Sequence, residues 1–221
     1  MRFLVLHGYA QNAKRMSAAM LPLVQRMSKR GVEFEFMTAP FPASARPQLA
    51  DLRCWWLWDK TVDGAFDVLN TKRYTTLLQS QAHVAHVWRE ASETGRPYQG
   101  LFGFSQGAAL ACTMGPLQLP GLRARVLVAS PRLSCPVAHA HASTIATATV
   151  ATLRVACSSD QVITLQDALT SVSVGIVPDP TFVAHNDDDD DDTGGKSSRG
   201  HGVPSSALFA ATLTQFVRTF A

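Results

Sequence analysis

Long apolar runs are missing from this chain. No stretch approaches the roughly 18 consecutive apolar residues that a membrane-spanning helix needs, so a transmembrane role is not expected. The amino-terminal run Phe3-Leu4-Val5-Leu6 is four residues long before His7-Gly8, too short for a signal-peptide core, and the expectation is a soluble, cytoplasmic protein. Paired cysteines are missing too. The four at positions 54, 112, 135 and 157 form no Cys-x-x-Cys and no regular spacing, which reads as free thiols in a reducing compartment, with no metal or cofactor expected.

Clustered positive charge is also absent. The 20 Lys and Arg residues are scattered singly, without the basic stripe and interleaved aromatics of a nucleic-acid surface, so no nucleic-acid partner is expected. No Gly-x-Gly-x-x-Gly or Walker loop follows an apolar strand, which removes dinucleotide and phosphate-loop readings. The net charge of +3 hides six consecutive aspartates at 187–192, leaving +9 elsewhere. Consecutive carboxylates repel, and a calcium loop needs spaced ligands and a glycine. The stretch 186–200 therefore reads as a solvated, flexible acidic loop.

What the chain does have is alternation. Its 221 residues, 46% of them hydrophobic, suit a single α/β domain over 1–221. Short apolar strands are expected at 3–6, 32–37, 100–104, 125–129 and 153–156, with another within 172–183. Helices are expected at 13–30, 77–93, 108–114, 164–170 and 206–220. Strands that are apolar on both sides and alternate with helices point to a mostly parallel central sheet covered on both faces, a doubly wound α/β fold. Residues 43–70 form a long connection over this sheet, with no large lid domain.

Gly103-Phe104-Ser105-Gln106-Gly107 stands between an apolar strand and a helix. That is the setting of a nucleophile elbow, a turn so tight that side chains two before and two after the serine would collide. Backbone N–H groups at a helix start also favour the negative charge that develops on a substrate oxygen. His7-Gly8-Tyr9 follows the first strand, where such folds place a second oxyanion donor. The backbone N–H groups of Tyr9 and Gln106 are the expected oxyanion hole, with His7 fixing its loop by hydrogen bonds.

A serine hydroxyl needs a base to take its proton and an acid to orient that base. In this fold they follow the serine in the order acid, then histidine. The histidines beyond Ser105 are His139, His141, His185 and His201. His201, between two glycines before the last helix, is the candidate base, and His185, at a strand end, is the alternative. Asp160 directly follows a strand, at the carboxyl edge where open α/β sheets gather their sites. Asp167 falls inside a helix and Asp179 between prolines.

Taken together, Leu6-His7-Gly8-Tyr9-Ala10-Gln11-Asn12, Arg53-Cys54-Trp55-Trp56, Gly103-Phe104-Ser105-Gln106-Gly107-Ala108-Ala109 and Gly200-His201-Gly202-Val203-Pro204 resemble the eukaryotic family of serine hydrolases, which includes ovarian-tumour-candidate-like esterases of the α/β-hydrolase superfamily. The resemblance implies an α/β-hydrolase fold, Ser105, Asp160 and His201 as the triad, and a small-molecule ester with an apolar acyl chain as substrate. Where the family commonly has a glycine before the acid, this chain has Ser158-Ser159. An acyl thioesterase with the same triad, or a catalytically silent α/β-hydrolase that binds a ligand or partner, are the alternatives. Trp55, Trp56 and Trp58 read either as an acyl-pocket wall or as core.

Overall fold

A strand that is apolar on both sides must be covered on both sides. Strand β1 (Arg2–Leu6) sends Leu4 and Leu6 into one core cluster and Phe3 and Val5 into another. The computed structural model describes residues 1–58, 74–145, 150–170, 181–185 and 201–220. After β1 come α1 (Ala13–Ala19), α2 (Leu21–Ser28), β2 (Glu33–Met37), β3 (Phe41–Pro42), β4 (Arg53–Cys54), β5 (Leu57–Trp58) and β6 (Tyr74–Thr75). Then follow α3 (Leu77–Glu93), β7 (Gly100–Phe104), α4 (Gln106–Cys112), β8 (Ala124–Val128), α5 (Pro136–Ile145), β9 (Ala151–Cys157), α6 (Leu165–Thr170), β10 (Thr181–His185) and α7 (Ala207–Arg218).

Among the described residues, six strands form one sheet in the order β10-β9-β8-β7-β1-β2, and every pairing in it is parallel. The expected fold class is therefore the observed one. Helices α3, α4 and α5 pack against Leu4, Leu6, Leu101 and Leu127 on one face. On the other, α1, α2 and α7 pack against Phe3, Val5, Phe102, Val126 and Val155. Strand order reverses where β1 meets β7, so the loops leaving their carboxyl ends diverge and open a crevice, the usual ligand position in such sheets. At one edge, β2 exposes Glu33 and Glu35 and half-buries Phe34 and Phe36. Edge charge of this kind opposes pairing with another chain.

Several boundaries differ from expectation for identifiable reasons. The single helix expected at 13–30 is two, broken at Met20 just ahead of Pro22, whose ring lacks an N–H and clashes with the preceding turn. Helix α4 begins at Gln106 rather than 108, and all seven of its residues are buried, so no polar face marks its start. Helix α5 was not expected. Among its described side chains, Ala138 and Ala142 join the core, which gives little amphipathic contrast. The strand expected within 172–183 runs instead over Thr181–His185. In the long connection, β3 pairs antiparallel with β4 and β5 with β6. Residues 59–73 of that connection and the acidic 186–200 stretch lie outside the described residues. Among the described residues, no helix is long and apolar enough to cross a membrane.

Candidate active site

Strand β7 is buried along its whole length and runs directly into Ser105. Ser105 has φ +52°, a left-handed conformation that side-chain-bearing residues adopt at a cost of order 1 to 3 kcal/mol. The neighbouring glycines make that turn sterically possible. A Cβ at Gly103 would lie 2.5 Å from Ala108 Cα, and one at Gly107 would lie 2.3 Å from the Leu6 carbonyl oxygen. Ser105 N–H donates to the Val128 carbonyl at 2.9 Å, tying the elbow to β8. As the first residue of α4, Gln106 presents a backbone N–H that has no acceptor within the helix.

At the exit of β1, His7 is fully buried. Its Nε2 accepts the Ala39 N–H at 3.0 Å, so Nδ1 carries the proton and donates it to the Gly8 carbonyl at 2.7 Å. Gly8 N–H in turn donates to Gln11 Oε1 at 2.9 Å. The loop-fixing role expected of His7 is thus visible as bonds. Burial lowers the His7 pKa from 6.5 to about 4, with the Gly8 bond partly opposing and the nearby Arg53 charge adding to the effect. Unfolded, the imidazole takes a proton near pH 6.5; folded, it resists until about 4. Its contribution to stability is therefore complete above 6.5 and disappears as pH falls toward 4, a loss of about 3 kcal/mol. Urea unfolding at pH 7 and pH 4 checks this. His7→Gln, which keeps a donor and an acceptor but does not titrate, should lose less stability over that interval than wild type; an equal loss would assign the effect elsewhere.

Asp160 follows β9 and is buried. Its Oδ1 accepts the N–H groups of Val162 and Ile163, each at 2.8 Å, and its Oδ2 accepts the His201 Nδ1–H at 2.7 Å. A buried carboxylate engaged on both oxygens meets the requirement that buried charge be paired. The His201 ring also rests on Phe104, with centroids 4.8 Å apart, and Phe104 is the residue before Ser105. The structure therefore brings the candidate acid and base into contact and seats the base beside the elbow. The contact with Phe104 was not foreseen, because the middle positions of a Gly-x-Ser-x-Gly motif carry no sequence constraint of their own.

The other candidates lie elsewhere or serve other ends. His141 Nδ1 meets Gln81 Nε2 at 3.1 Å beneath α5, and Asp167 accepts from Thr164 Oγ1 at 2.6 Å at the start of α6. His185 ends β10 opposite Cys157, on the far side of β9 from the elbow. The side chains of His185 and His139, and all of Asp179, lie outside the described residues. Trp55 and Trp56, read as pocket wall or core, are core: they are 0% and 1% exposed, too enclosed to offer an open wall. Trp56 stacks on Tyr74 at 4.6 Å. The Trp58 side chain lies outside the described residues. Among the described residues, no group of three or more His, Cys, Asp or Glu is placed to hold a metal ion.

Several solved structures share this architecture at low identity. Arabidopsis thaliana SOBER1 aligns with a TM-score of 0.65 at 14% identity, over 99% of this chain and 98% of its own. Esterase PE8 aligns with a TM-score of 0.63 at 17% identity, over 100% of this chain and 92% of its own. At that distance the likeness establishes the α/β-hydrolase fold alone. By sequence, the chain is 33% identical over 171 residues to Esterase CG5412 of Drosophila melanogaster, covering 73% of this chain and 58% of that protein. It is 27% identical over 132 residues to Esterase C25G4.2 of Caenorhabditis elegans, covering 56% of each. The chain thus matches little more than half the length of these relatives. The family model described as serine hydrolase (FSH1) matches residues 1–212, and the chain belongs to that family of serine hydrolases.

Proposed function

We propose that this chain hydrolyses carboxylic esters through an acyl-enzyme formed on Ser105. The observation that carries the reading is the Asp160–His201 pair, with its imidazole against Phe104 beside the strained serine. Held through Nδ1–H by a carboxylate, the ring keeps Nε2 unprotonated and able to act as a base. Ser105 Oγ attacks the ester carbonyl as His201 Nε2 takes its proton. The backbone N–H groups of Tyr9 and Gln106 receive the developing oxyanion. His201 then returns the proton to the leaving alkoxide, giving the alcohol and the acyl-serine. Water, deprotonated by the same imidazole, releases the acid and regenerates the serine.

The esterase names of the Drosophila and Caenorhabditis relatives support ester chemistry, and the family resemblance supports an apolar acyl group. Four buried cysteines suit a protein working in a reducing compartment such as the cytoplasm. A fluorophosphonate probe tests the nucleophile: wild type is expected to be labelled and Ser105→Ala to stay unlabelled. A series of chromogenic esters and matched thioesters of two to twelve carbons tests the substrate class. Higher kcat/KM on thioesters at every length would make the chain a thioesterase, and an unlabelled wild type would favour a silent binding protein.

A further inference from the structure

Trp55 has three backbone or ring groups able to hydrogen-bond, all inside the protein, and buried donors and acceptors must find partners. They find them on three separate elements. The indole Nε1–H donates to the His7 carbonyl at 2.8 Å, at the exit of β1. Its backbone N–H donates to Gln106 Oε1 at 2.9 Å, at the start of α4. Its carbonyl accepts the Ser80 hydroxyl from α3. The Gln106 amide cannot turn over, because its Nε2 also donates to the Trp56 carbonyl at 2.9 Å. A flipped amide would set its NH2 against the Trp55 N–H and its oxygen against the Trp56 carbonyl.

Two of the three elements joined through Trp55, the exit of β1 and the start of α4, are the ones that bear Tyr9 and Gln106. Nearly a hundred residues of chain separate these two backbone N–H groups. On the β1 side, the His7 bond to the Gly8 carbonyl fixes the Gly8–Tyr9 peptide plane, and the Tyr9 N–H, trans to that carbonyl, is fixed with it. On the α4 side, the Gln106 side chain is anchored directly.

We propose that Trp55 and the side chain of Gln106 are positioning residues of the oxyanion hole, a strut that sets the spacing between its two N–H donors. The inference rests on the proposed esterase reading. Oxyanion donors act only when both stand about 3 Å from the same developing charge, and a misplacement near 1 Å costs about 100-fold in rate. Trp55 has no exposed surface with which to hold an acyl chain, so loosening it should affect the transition state more than substrate binding.

Trp55→Phe removes the Nε1–H and keeps most of the ring; Gln106→Met keeps the length and removes both amide bonds. Each is assayed for kcat and KM on a chromogenic butyrate ester. Each is also assayed for inhibition by an alkyl trifluoromethyl ketone, whose serine adduct places an oxyanion in the hole. The expected result is a kcat roughly 10- to 100-fold lower with KM changed less than about 2-fold. The ketone inhibition constant should weaken in proportion to kcat/KM. The double variant should lose less than the product of the two single losses, because both act on one strut. Should Gln106→Met fail to fold, Trp55→Phe with the ketone series decides alone. A kcat within 2-fold of wild type in Trp55→Phe, or a loss confined to KM, overturns the proposal. Fluorophosphonate labelling separates the two readings: a labelled wild type with unaffected variants removes the strut only, whereas an unlabelled wild type removes the esterase reading itself.

Discussion

Asp160→Asn is expected to lower kcat by roughly 10,000-fold while leaving KM and the fold nearly unchanged. The direction follows from the bonds around the carboxylate. Val162 and Ile163 both donate to Oδ1, so in the asparagine variant the amide oxygen must stay on that side and the NH2 must face His201. An NH2 donates. It therefore selects the imidazole tautomer with a bare Nδ1 and a protonated Nε2, and that tautomer cannot accept the Ser105 proton. The two loop bonds survive, which is why stability changes little. Steady-state kinetics on a chromogenic ester, with circular dichroism as the check on folding, measures this. His201→Ala should be similarly inactive and His185→Ala close to wild type. If Asp160→Asn retained a tenth or more of wild-type activity, the acid would have to be sought elsewhere.

Gly107→Ala is expected to destabilise the protein by more than about 4 kcal/mol, or to prevent its soluble expression, which is the exceptional end of single-residue effects. The added Cβ would lie 2.3 Å from the Leu6 carbonyl oxygen and 2.6 Å from that of His7. Both are backbone atoms, the first in β1, where Leu6 is paired on both sides within the sheet, and the second in the residue that follows it, so the collision cannot be relieved by a side-chain rotation. Gly202 is the control. Among the described residues, nothing lies within 4 Å of its hypothetical Cβ, and Gly202→Ala should change stability by no more than about 0.5 kcal/mol. Denaturant midpoints for the two variants give the comparison. A Gly107→Ala protein within 1 kcal/mol of wild type would mean that α4 and β1 are less closely apposed than described.

These two sites also explain why the elbow was readable from sequence. Steric exclusion around Ser105 permits only glycine at specific offsets, so the geometry leaves its mark in the amino acids. The parallel sheet was readable for a similar reason: strands buried on both faces become uninterrupted apolar runs, as in Leu101-Phe102 and Val126-Leu127-Val128. Asp160 stood out because a strand ended just before it.

Other features left no such mark. A tryptophan in a long connection announces size and apolarity but not the destination of its N–H groups, so Trp55 read equally as wall or core. Gln106 did carry a usable signal. It is a polar residue leading an otherwise apolar helix, Gly107-Ala108-Ala109-Leu110-Ala111, and a buried amide must be hydrogen-bonded. Which groups satisfy it depends on residues some fifty positions away, and no local pattern encodes that. Helix α5 has alanine at the described core positions, Ala138 and Ala142, which gives periodicity without contrast.

Strand β8 contributes no side chain to the proposed triad, yet it acts as the gauge of the site. Ser105 stands at the end of β7 and Asp160 follows β9, with β8 paired between them. Adjacent strands are about 4.8 Å apart, so the proposed nucleophile and acid rise from lines roughly 10 Å apart. That is too far for a carboxylate to touch the serine and about the span that one imidazole, hydrogen-bonded at each nitrogen, can bridge. The same spacing has a consequence for assembly. The proposed site is complete only after β7, β8 and β9 have all docked in register and the segment before α7 has returned to deliver His201. Under the proposed chemistry, recovered turnover would report completion of the sheet, and a partly folded chain with a well-formed elbow would remain silent.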